Sequence, residues 1–170
     1  FILEFCVYPE FRGNGTGAAC AEALLSWGHE NGAKFAELNC SDERRERFWS
    51  RFGFMRNGLD AQGEPLMLLP PEEDAPMTVG LANGIEEFWA LELSFFSAIG
   101  ETPPDSMGRS RMIGAMSAGR VAFITVKRQG RPVGLCSVSR CFSSLTCWDA
   151  GVFGDFYIEP AFRGRGVARM

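Results

Sequence analysis

Metal-binding residues are scarce in this sequence. It contains a single histidine, and its six cysteines include no pair in a C-x-x-C spacing. Structural zinc sites are built from such ligands at short spacings. We therefore expect no metal site, and we interpret the cysteines as reduced, buried thiols.

Long apolar segments are also lacking. The longest apolar runs, such as residues 67–69 and 121–126, are far shorter than the roughly 20 residues of a membrane helix. The chain does not open with a basic segment followed by an apolar one, as a secretory leader would. We therefore expect a cytoplasmic protein that does not enter a membrane.

Positive charge is in slight deficit. The net charge is -4, with 46% hydrophobic and 22% charged residues, a composition typical of a soluble globular protein. A net negative charge disfavours nucleic acid or an anionic membrane surface as a partner. Residues 1–75 contain 7 basic and 13 acidic groups, whereas residues 76–170 contain 10 and 8. This asymmetry suggests two units of different origin.

The first part of the chain alternates strands with helices. Residues 1–7 form a nearly continuous apolar run, typical of a strand covered on both faces. The other predicted elements are, in chain order, a helix at 16–31, a strand at 33–40, a charged helix at 42–52 and one or two strands up to residue 69. The prolines and acids of PPEEDAP, residues 70–76, indicate a linker.

The second part of the chain begins with a predicted strand at 77–82. Asn83 and Glu86 have the spacing of a capping box for a helix that Gly100 ends. The remaining predicted elements are a weaker helix at 106–118 and strands of an antiparallel meander at 121–128, 132–140 and 152–158. We expect this part to pack against residues 1–69, within one chain or by exchange between two, because each half alone would leave an open sheet edge.

One phrase occurs near both ends of the chain. CVYPEFRGNGTGAAC covers residues 6–20 and YIEPAFRGRGVARM covers residues 157–170, so that the shared proline, arginine and glycines lie 151 positions apart. Each copy follows a predicted strand, and the first opens a predicted helix, whose N-terminal N–H groups attract anions. Glycines let a ligand approach the backbone, and the arginine adds charge. The phrase therefore predicts a pyrophosphate-binding loop.

The phrase, read as V-x-P-x-x-R-G-x-G-x-G/A between a strand and a helix, resembles motif A of the GNAT superfamily of N-acetyltransferases. FWSRFGF, residues 48–54, resembles the motif B of the same family. The resemblance implies a mixed α/β GNAT fold, with a central, mostly antiparallel sheet flanked by helices. It also implies direct transfer of an acetyl group from acetyl-CoA to a primary amine, carried by a small molecule or a protein N-terminus.

The resemblance divides the chain into two units. Residues 1–69 are similar to the C-terminal half of a GNAT domain, with motifs A and B, and residues 77–170 to the N-terminal half of a second domain that ends in motif A. Residues 70–76 are the linker between them. The chain is then either an excerpt of a tandem protein or a circular permutant, and it could form a homodimer with exchanged halves.

The resemblance also assigns roles to residues. The residues expected to bind the coenzyme lie in the two copies of the phrase and just before them: Cys6, Val7, Arg12, Gly13, Asn14, Gly15, Thr16 and Gly17 in the first, and Tyr157, Ile158, Arg163, Gly164, Arg165, Gly166, Val167 and Ala168 in the second. Glu4 and Asp155 each lie three residues before the motif's Val7 or Ile158, in apolar strands. A carboxylate is costly to bury without partners, so both are candidate catalytic bases.

Two other functions remain open at this stage. Trp49 stands where many family members have the tyrosine that serves as general acid, and an indole does not release its proton at useful pH. A CoA-binding or interaction module without catalysis therefore stays an alternative. Gly13, Gly15 and Ala18 also match a dinucleotide fingerprint, with Glu37 placed for a ribose hydroxyl. An NAD-binding enzyme is the second alternative, although Tyr8 to Arg12 separate the strand from the first glycine.

Overall fold

The computed structural model describes residues 1–70 and 75–169, so residues 71–74 of the predicted linker and Met170 lie outside the described part. The elements of the first half are helix α1 (Thr16–Glu30), strand β1 (Ala36–Asn39), helix α2 (Glu43–Ser50) and strands β2 (Met55–Leu59) and β3 (Pro65–Leu69). The strands form an antiparallel sheet in the order β1-β3-β2, here called sheet A.

The second half forms a separate sheet, sheet B. Its elements are strand β4 (Met77–Leu81), helices α3 (Trp89–Ile99) and α4 (Ser106–Ser117), and strands β5 (Val121–Arg128), β6 (Arg131–Ser143) and β7 (Trp148–Ile158). The strands are antiparallel in the order β4-β5-β6-β7. The predicted meander and the predicted mixed α/β class are therefore confirmed.

Three clusters of buried side chains hold these layers together. One packs α3 onto sheet B through Phe88, Phe123 and Leu135. A second packs α1 and α2 onto sheet A through Ala21 and Trp49. The third lies between the halves and contains, from both of them, Leu68, Val133, Ala161, Phe162 and Val167. The two halves thus pack against each other as expected, through this shared core and α3 rather than through strand pairing.

An ion-pair network also links the halves. Arg131 Nε donates to Glu37 Oε1 of β1 at 2.6 Å, and the same guanidinium binds both carboxylate oxygens of Glu159. The side chains of Arg131 and Glu159 are only 11% and 3% exposed. Burial raises the pKa of Glu159, and the arginine opposes that shift. The network therefore fixes β1 against the ends of β6 and β7.

Several sequence-based predictions were wrong. Residues 1–7 do not form a strand; Ile2 N donates to Glu37 O at 2.8 Å, but Leu3 is 86% exposed. A strand needs continuous pairing on at least one side, and an apolar run alone does not supply it. The helix expected from Asn83 begins only at Trp89, because Ile85–Glu87 forms a 3-10 turn and Glu87, not Glu86, accepts from Asn83 N.

The cysteines also differ from expectation. All six are free thiols, but four of them are exposed and none is fully buried. Within the described residues, no helix combines the length and apolarity needed to cross a membrane.

Candidate functional site

The first copy of the phrase forms a glycine-rich loop ahead of α1. A 3-10 turn at Pro9–Phe11 leads to Arg12, whose Nε donates to Val7 O at 2.7 Å. Gly13 and Gly15 adopt φ values of +86° and +92°, which favour glycine. The Asn14 side chain accepts from the backbone N–H and the hydroxyl of Thr16. The loop thus turns the chain sharply into the N-terminus of α1.

The second copy has the same backbone geometry. A 3-10 turn at Pro160–Phe162 leads to Arg163, whose Nε donates to Ile158 O at 2.9 Å. Gly164 and Gly166 adopt φ values of +73° and +82°. The arginine, the turn and both positive-φ glycines therefore recur at matching positions, so the repeated sequence encodes a repeated local structure.

The surroundings of the two loops differ. Gly15 is followed by the 15 residues of α1, whereas Gly166 is followed by the 3-10 turn Val167–Arg169. Phe11 of the first copy is 52% exposed, but its counterpart Phe162 is completely buried. The first loop therefore lies in solvent at the start of a long helix. The second is anchored in the core between the halves by Phe162 and Val167, although Gly164 and Gly166 themselves are exposed.

Two clefts meet at the first loop. One has a volume of about 730 Å³ and is lined by residues 2–7, Arg12, the end of β1 and one face of α2. The other, of about 680 Å³, is lined by Gly13, Gly15 and Gly17 on one side and by arginines of α2 on the other. Both share Phe5, Val7, Arg12, Arg44 and Phe48. They form a continuous groove across the N-terminus of α1.

Helix α2 supplies positive charge to this groove. Arg44 and Arg47 of α2 and the capping residue Arg51 lie at i, i+3 and i+7, which places them on one side of the helix, and all three line the cleft of 680 Å³. The charged run of α2 reads in the sequence as a solvated helix face, so these arginines were missed as site residues. The i, i+3 and i+7 spacing of these arginines is the sequence pattern that could have identified them.

The start of α2 is fixed by a side-chain cap. The Asp42 carboxylate accepts from Arg44 N and Arg45 N at 2.8 and 3.1 Å. These bonds, the one from Arg45 first, hold the pKa of Asp42 below its ordinary value. The cap sets the direction in which α2 leaves β1, and with it the position of its arginines.

The residues predicted around the first copy come together at the groove. Glu4, Cys6, Val7 and Arg12 border the larger cleft. Trp49 lies at its floor, 6% exposed and 5.0 Å from the Phe5 ring centroid. Glu4 is exposed there instead of lying in an apolar strand. The first loop, Glu4 and the arginines of α2 therefore belong to one surface.

The residues predicted around the second copy lie elsewhere. A cavity of about 300 Å³ is lined by Ile158, Gly164, Gly166, Val167 and Ala168, among others. The Arg163 guanidinium lies over the ring of the buried Tyr157, 5.6 Å from its centroid. Arg165 is half-buried. The two copies therefore border different cavities.

Asp155, the second candidate base, is half-buried in β7. Its carboxylate accepts from Ser137 Oγ at 3.0 Å, and its backbone N–H donates to the same oxygen at 2.8 Å. Burial first, and the charge of Asp155 second, raise the pKa of Glu92 in α3. The structure thus pairs Asp155 with a carboxylate that the sequence patterns did not single out.

Comparison with known proteins finds a sequence match within the first half of the chain. The sequence model described as the Acetyltransferase (GNAT) family matches residues 1–54. No curated protein matches the chain significantly in sequence.

Solved structures show a weak likeness. A ribosomal-protein-alanine N-acetyltransferase from Brucella melitensis is 20% identical, with a TM-score of 0.48 over 55% of this chain and 65% of that one. A GNAT family acetyltransferase from Staphylococcus aureus is 14% identical, with a TM-score of 0.46 over 55% and 70%. A predicted acetyltransferase with acetyl-CoA from Clostridium acetobutylicum is 13% identical, with a TM-score of 0.43 over 55% and 67%.

The chain spans 56% and 65% of the first two solved structures that it matches. Because these TM-scores lie below 0.5, the assignment rests on the sequence match, which contains the first glycine loop and the arginine-bearing helix α2. Residues 1–54 of the chain match the acetyltransferase (GNAT) family in sequence.

Proposed function

We propose that the protein is an N-acetyltransferase that binds acetyl-CoA at the first glycine loop and transfers the acetyl group to a primary amine. The observation that carries this proposal is the groove at the N-terminus of α1, where glycine N–H groups and four arginines converge. Exposed helix N-termini with glycine loops are anion sites, and guanidinium groups match phosphate geometry. The acceptor is a small amine or a protein N-terminus, and the protein acts in the cytoplasm.

The groove suits a ligand with phosphates at one end and an apolar chain at the other. A Cβ on Gly13 or Gly15 would meet nothing within 4 Å, so the backbone at both positions is open to an approaching pyrophosphate. Arg12 stands beside it, and Arg44, Arg47 and Arg51 face it across the cleft. The larger cleft, with Phe5, Phe48 and Trp49, would hold the apolar arm.

The residues before the loop would carry the chemistry. Acetyl-CoA supplies the acetyl group and a thiolate leaving group. Glu4 would accept the proton that the ammonium form of the acceptor must lose before it attacks. The backbone N–H groups of Cys6 and Val7 would donate to the thioester oxygen. Because a thiol has a pKa of about 8.5, its thiolate leaves near neutral pH without a tyrosine where Trp49 stands.

We propose that the second copy contributes mainly to packing between the two halves and little to coenzyme binding. Phe162 and Val167 of this copy are buried in the core between the halves. Tyr157, Arg163 and Gly166 would then matter less for binding. The proposed domain organisation has halves at 1–69 and 77–170 joined by residues 70–76.

Isothermal titration of the protein with acetyl-CoA and, separately, with NADH tests the proposal. We expect acetyl-CoA to bind and NADH not to. NADH binding without acetyl-CoA binding would support the dinucleotide alternative and overturn the proposal. If acetyl-CoA binds but no primary amine in a panel is acetylated, the proposed transferase activity is wrong and the chain is a CoA-binding module.

Replacing Gly15 with valine is expected to abolish measurable acetyl-CoA binding. A β-branched side chain strains the backbone at φ +92° and fills the space through which the pyrophosphate approaches. Gly32→Val is the matched control, since Gly32 has φ +87° and equally open surroundings at the other end of α1. Titration should show binding retained in the control; equal loss in both variants would contradict the assignment.

Replacing Arg12 with alanine is expected to weaken acetyl-CoA binding by roughly 1.5–3 kcal/mol, because a charge-assisted bond to phosphate is lost. Arg163→Ala removes the same turn-stabilising bond to a carbonyl five residues earlier, and we expect it to leave the affinity nearly unchanged. Calorimetry on both variants separates ligand binding from turn stability. A larger loss for Arg163→Ala would place the working site at the second loop.

A further inference from the structure

Glu92 is a buried acid without a partner. It lies in α3 with 0% of its surface exposed, between Leu91 and Leu93 of the core cluster. Neither of its carboxyl oxygens has a hydrogen-bond partner among the described residues. An unpaired buried carboxylate destabilises a fold unless it is neutralised. The sequence signal was a lone acid in the apolar run WALELSFF.

The charged group that acts on Glu92 is another carboxylate. The charge of Asp155 in β7, a strand against which α3 packs, opposes the ionisation of Glu92. The Asp155 carboxylate accepts from the Ser137 hydroxyl at 3.0 Å. Two carboxylates that share a low-dielectric site do not ionise independently. The pair therefore favours one retained proton.

Other ionisable groups on the elements that pack around α3 are engaged elsewhere. On the preceding turn, Glu86 binds Arg109 and Glu87 binds Lys127 at 3.0 Å. On β2, Arg56 binds Glu46 at 2.5 Å. Arg131 of β6 binds Glu37 and Glu159, and Arg140 of β6 binds Asp149 of β7. Other groups on these strands include Tyr157 of β7, whose hydroxyl interacts with Ser94 and Arg163, and Cys136 of β6. None of these interactions supplies a positive charge to Glu92.

Helix α3 also connects the two halves. Ser94 Oγ accepts from Leu59 N of β2 at 2.8 Å, and Gly58 lies against the same serine. The packing of α3 on sheet B thus determines how sheet A is held. Glu92 lies two residues before this contact.

We propose that Glu92 and Asp155 form a pH-sensitive switch beneath α3 that controls the junction between the two halves. When Glu92 is protonated, α3 packs on sheet B, and the Ser94 hydroxyl keeps its hydrogen bond to Leu59 N of β2. Once Glu92 is ionised, its repulsion from Asp155 and its need for water loosen α3 and release the contact with Leu59.

The titration falls in the physiological range. Burial first, and the field of Asp155 second, raise the pKa of Glu92 to about 7. Because the folded-state pKa lies above the ordinary value, the stabilisation is complete at acidic pH and is lost as pH rises through about 7. The junction should therefore be tightest in clearly acidic solution and loosen progressively as the pH rises to about 7.

Amide hydrogen exchange of the intact chain at pH 6 and pH 8.5 tests the switch, with each rate divided by the intrinsic rate at that pH. Protection in α3 and β2 is expected to fall about tenfold at the higher pH. Glu92→Gln should abolish this loss, because glutamine keeps the shape without the charge. Asp155→Asn should shift the loss of amide protection to lower pH, because it removes the charge that helps to raise the pKa of Glu92.

Three results would contradict the proposal. Equal protection at both pH values in the unaltered chain, retention of the loss in Glu92→Gln, or no shift in Asp155→Asn would each overturn it. If Glu92→Gln does not fold, carbon-detected NMR titration of Glu92 in the unaltered chain decides instead. A midpoint near 5 would refute the switch and one near 7 would support it. Neither measurement requires acetyl-CoA, so its result is independent of the proposed function.

Discussion

Replacing Arg131 with alanine is expected to lower the free energy of unfolding by about 3–5 kcal/mol, since it leaves the buried carboxylate of Glu159 without a partner. The same change removes the 2.6 Å bond to Glu37, so the contact between β1 and the second half should weaken as well. Urea unfolding followed by circular dichroism measures the loss.

A matched control is available in the same sheet. Arg140 and Asp149 form an ion pair at 3.2 Å with both side chains more than two-thirds exposed, and such pairs contribute at most about 1 kcal/mol. Arg140→Ala should therefore be nearly neutral. The double replacement Arg131→Met with Glu159→Gln should recover much of the loss, because no unpaired charge remains. A loss for Arg131→Ala as small as for Arg140→Ala would show that the network does not hold the halves together.

The Arg131→Ala variant should also respond to pH. Burial already raises the pKa of Glu159, and removal of the arginine removes the force that opposes this shift. The variant is then most stable where Glu159 is protonated, and it loses stability as pH rises through the raised pKa. The difference from the unaltered chain should shrink in acidic solution.

Replacing Gly58 with alanine is expected to lower the free energy of unfolding by about 2–4 kcal/mol. The loss combines the strain of a left-handed backbone conformation with overpacking at a close contact. Gly58 has φ +75°, and a Cβ there would lie 2.5 Å from Ser94 Oγ and 3.3 Å from the Tyr157 hydroxyl. The added methyl group would push β2 away from α3. Thermal and urea unfolding both report the change.

Gly63→Ala is the control for backbone strain alone. Gly63 has φ +86°, but a Cβ there would meet nothing within 4 Å. We expect a cost of about 1–2 kcal/mol for this variant. Equal losses at the two positions would mean that the approach of β2 to α3 is looser than the structure shows, and that the junction does not depend on Ser94.

Local features of this chain were predictable because their causes are local. The turn, the arginine bond and the positive-φ glycines recur at both copies of the phrase, since each depends on residues within a few positions of one another. The helix after Gly15 and the antiparallel strands of sheet B follow likewise from capping, periodicity and turn residues. The order of β5, β6 and β7 needed only short connections.

Pairing and burial were less predictable because they depend on distant neighbours. The apolar residues 1–7 have strand composition but make no strand, and Leu3 is exposed. Phe11 and Phe162 occupy the same place in the same phrase, but one is half-exposed and the other fully buried. The difference comes from Leu68 and Val133, which pack against the second phrase only.

The amino-acid sequence by itself determined the mixed α/β class, the two glycine loops and the resemblance of residues 1–54 to the acetyltransferase (GNAT) family, because these depend on short-range chemistry. The tertiary structure decided which loop opens onto a groove, that Arg44, Arg47 and Arg51 face it, and that Glu92 is buried in α3. These facts depend on how helices and sheets dock, and docking is set by the sum of many weak contacts between residues far apart in the chain.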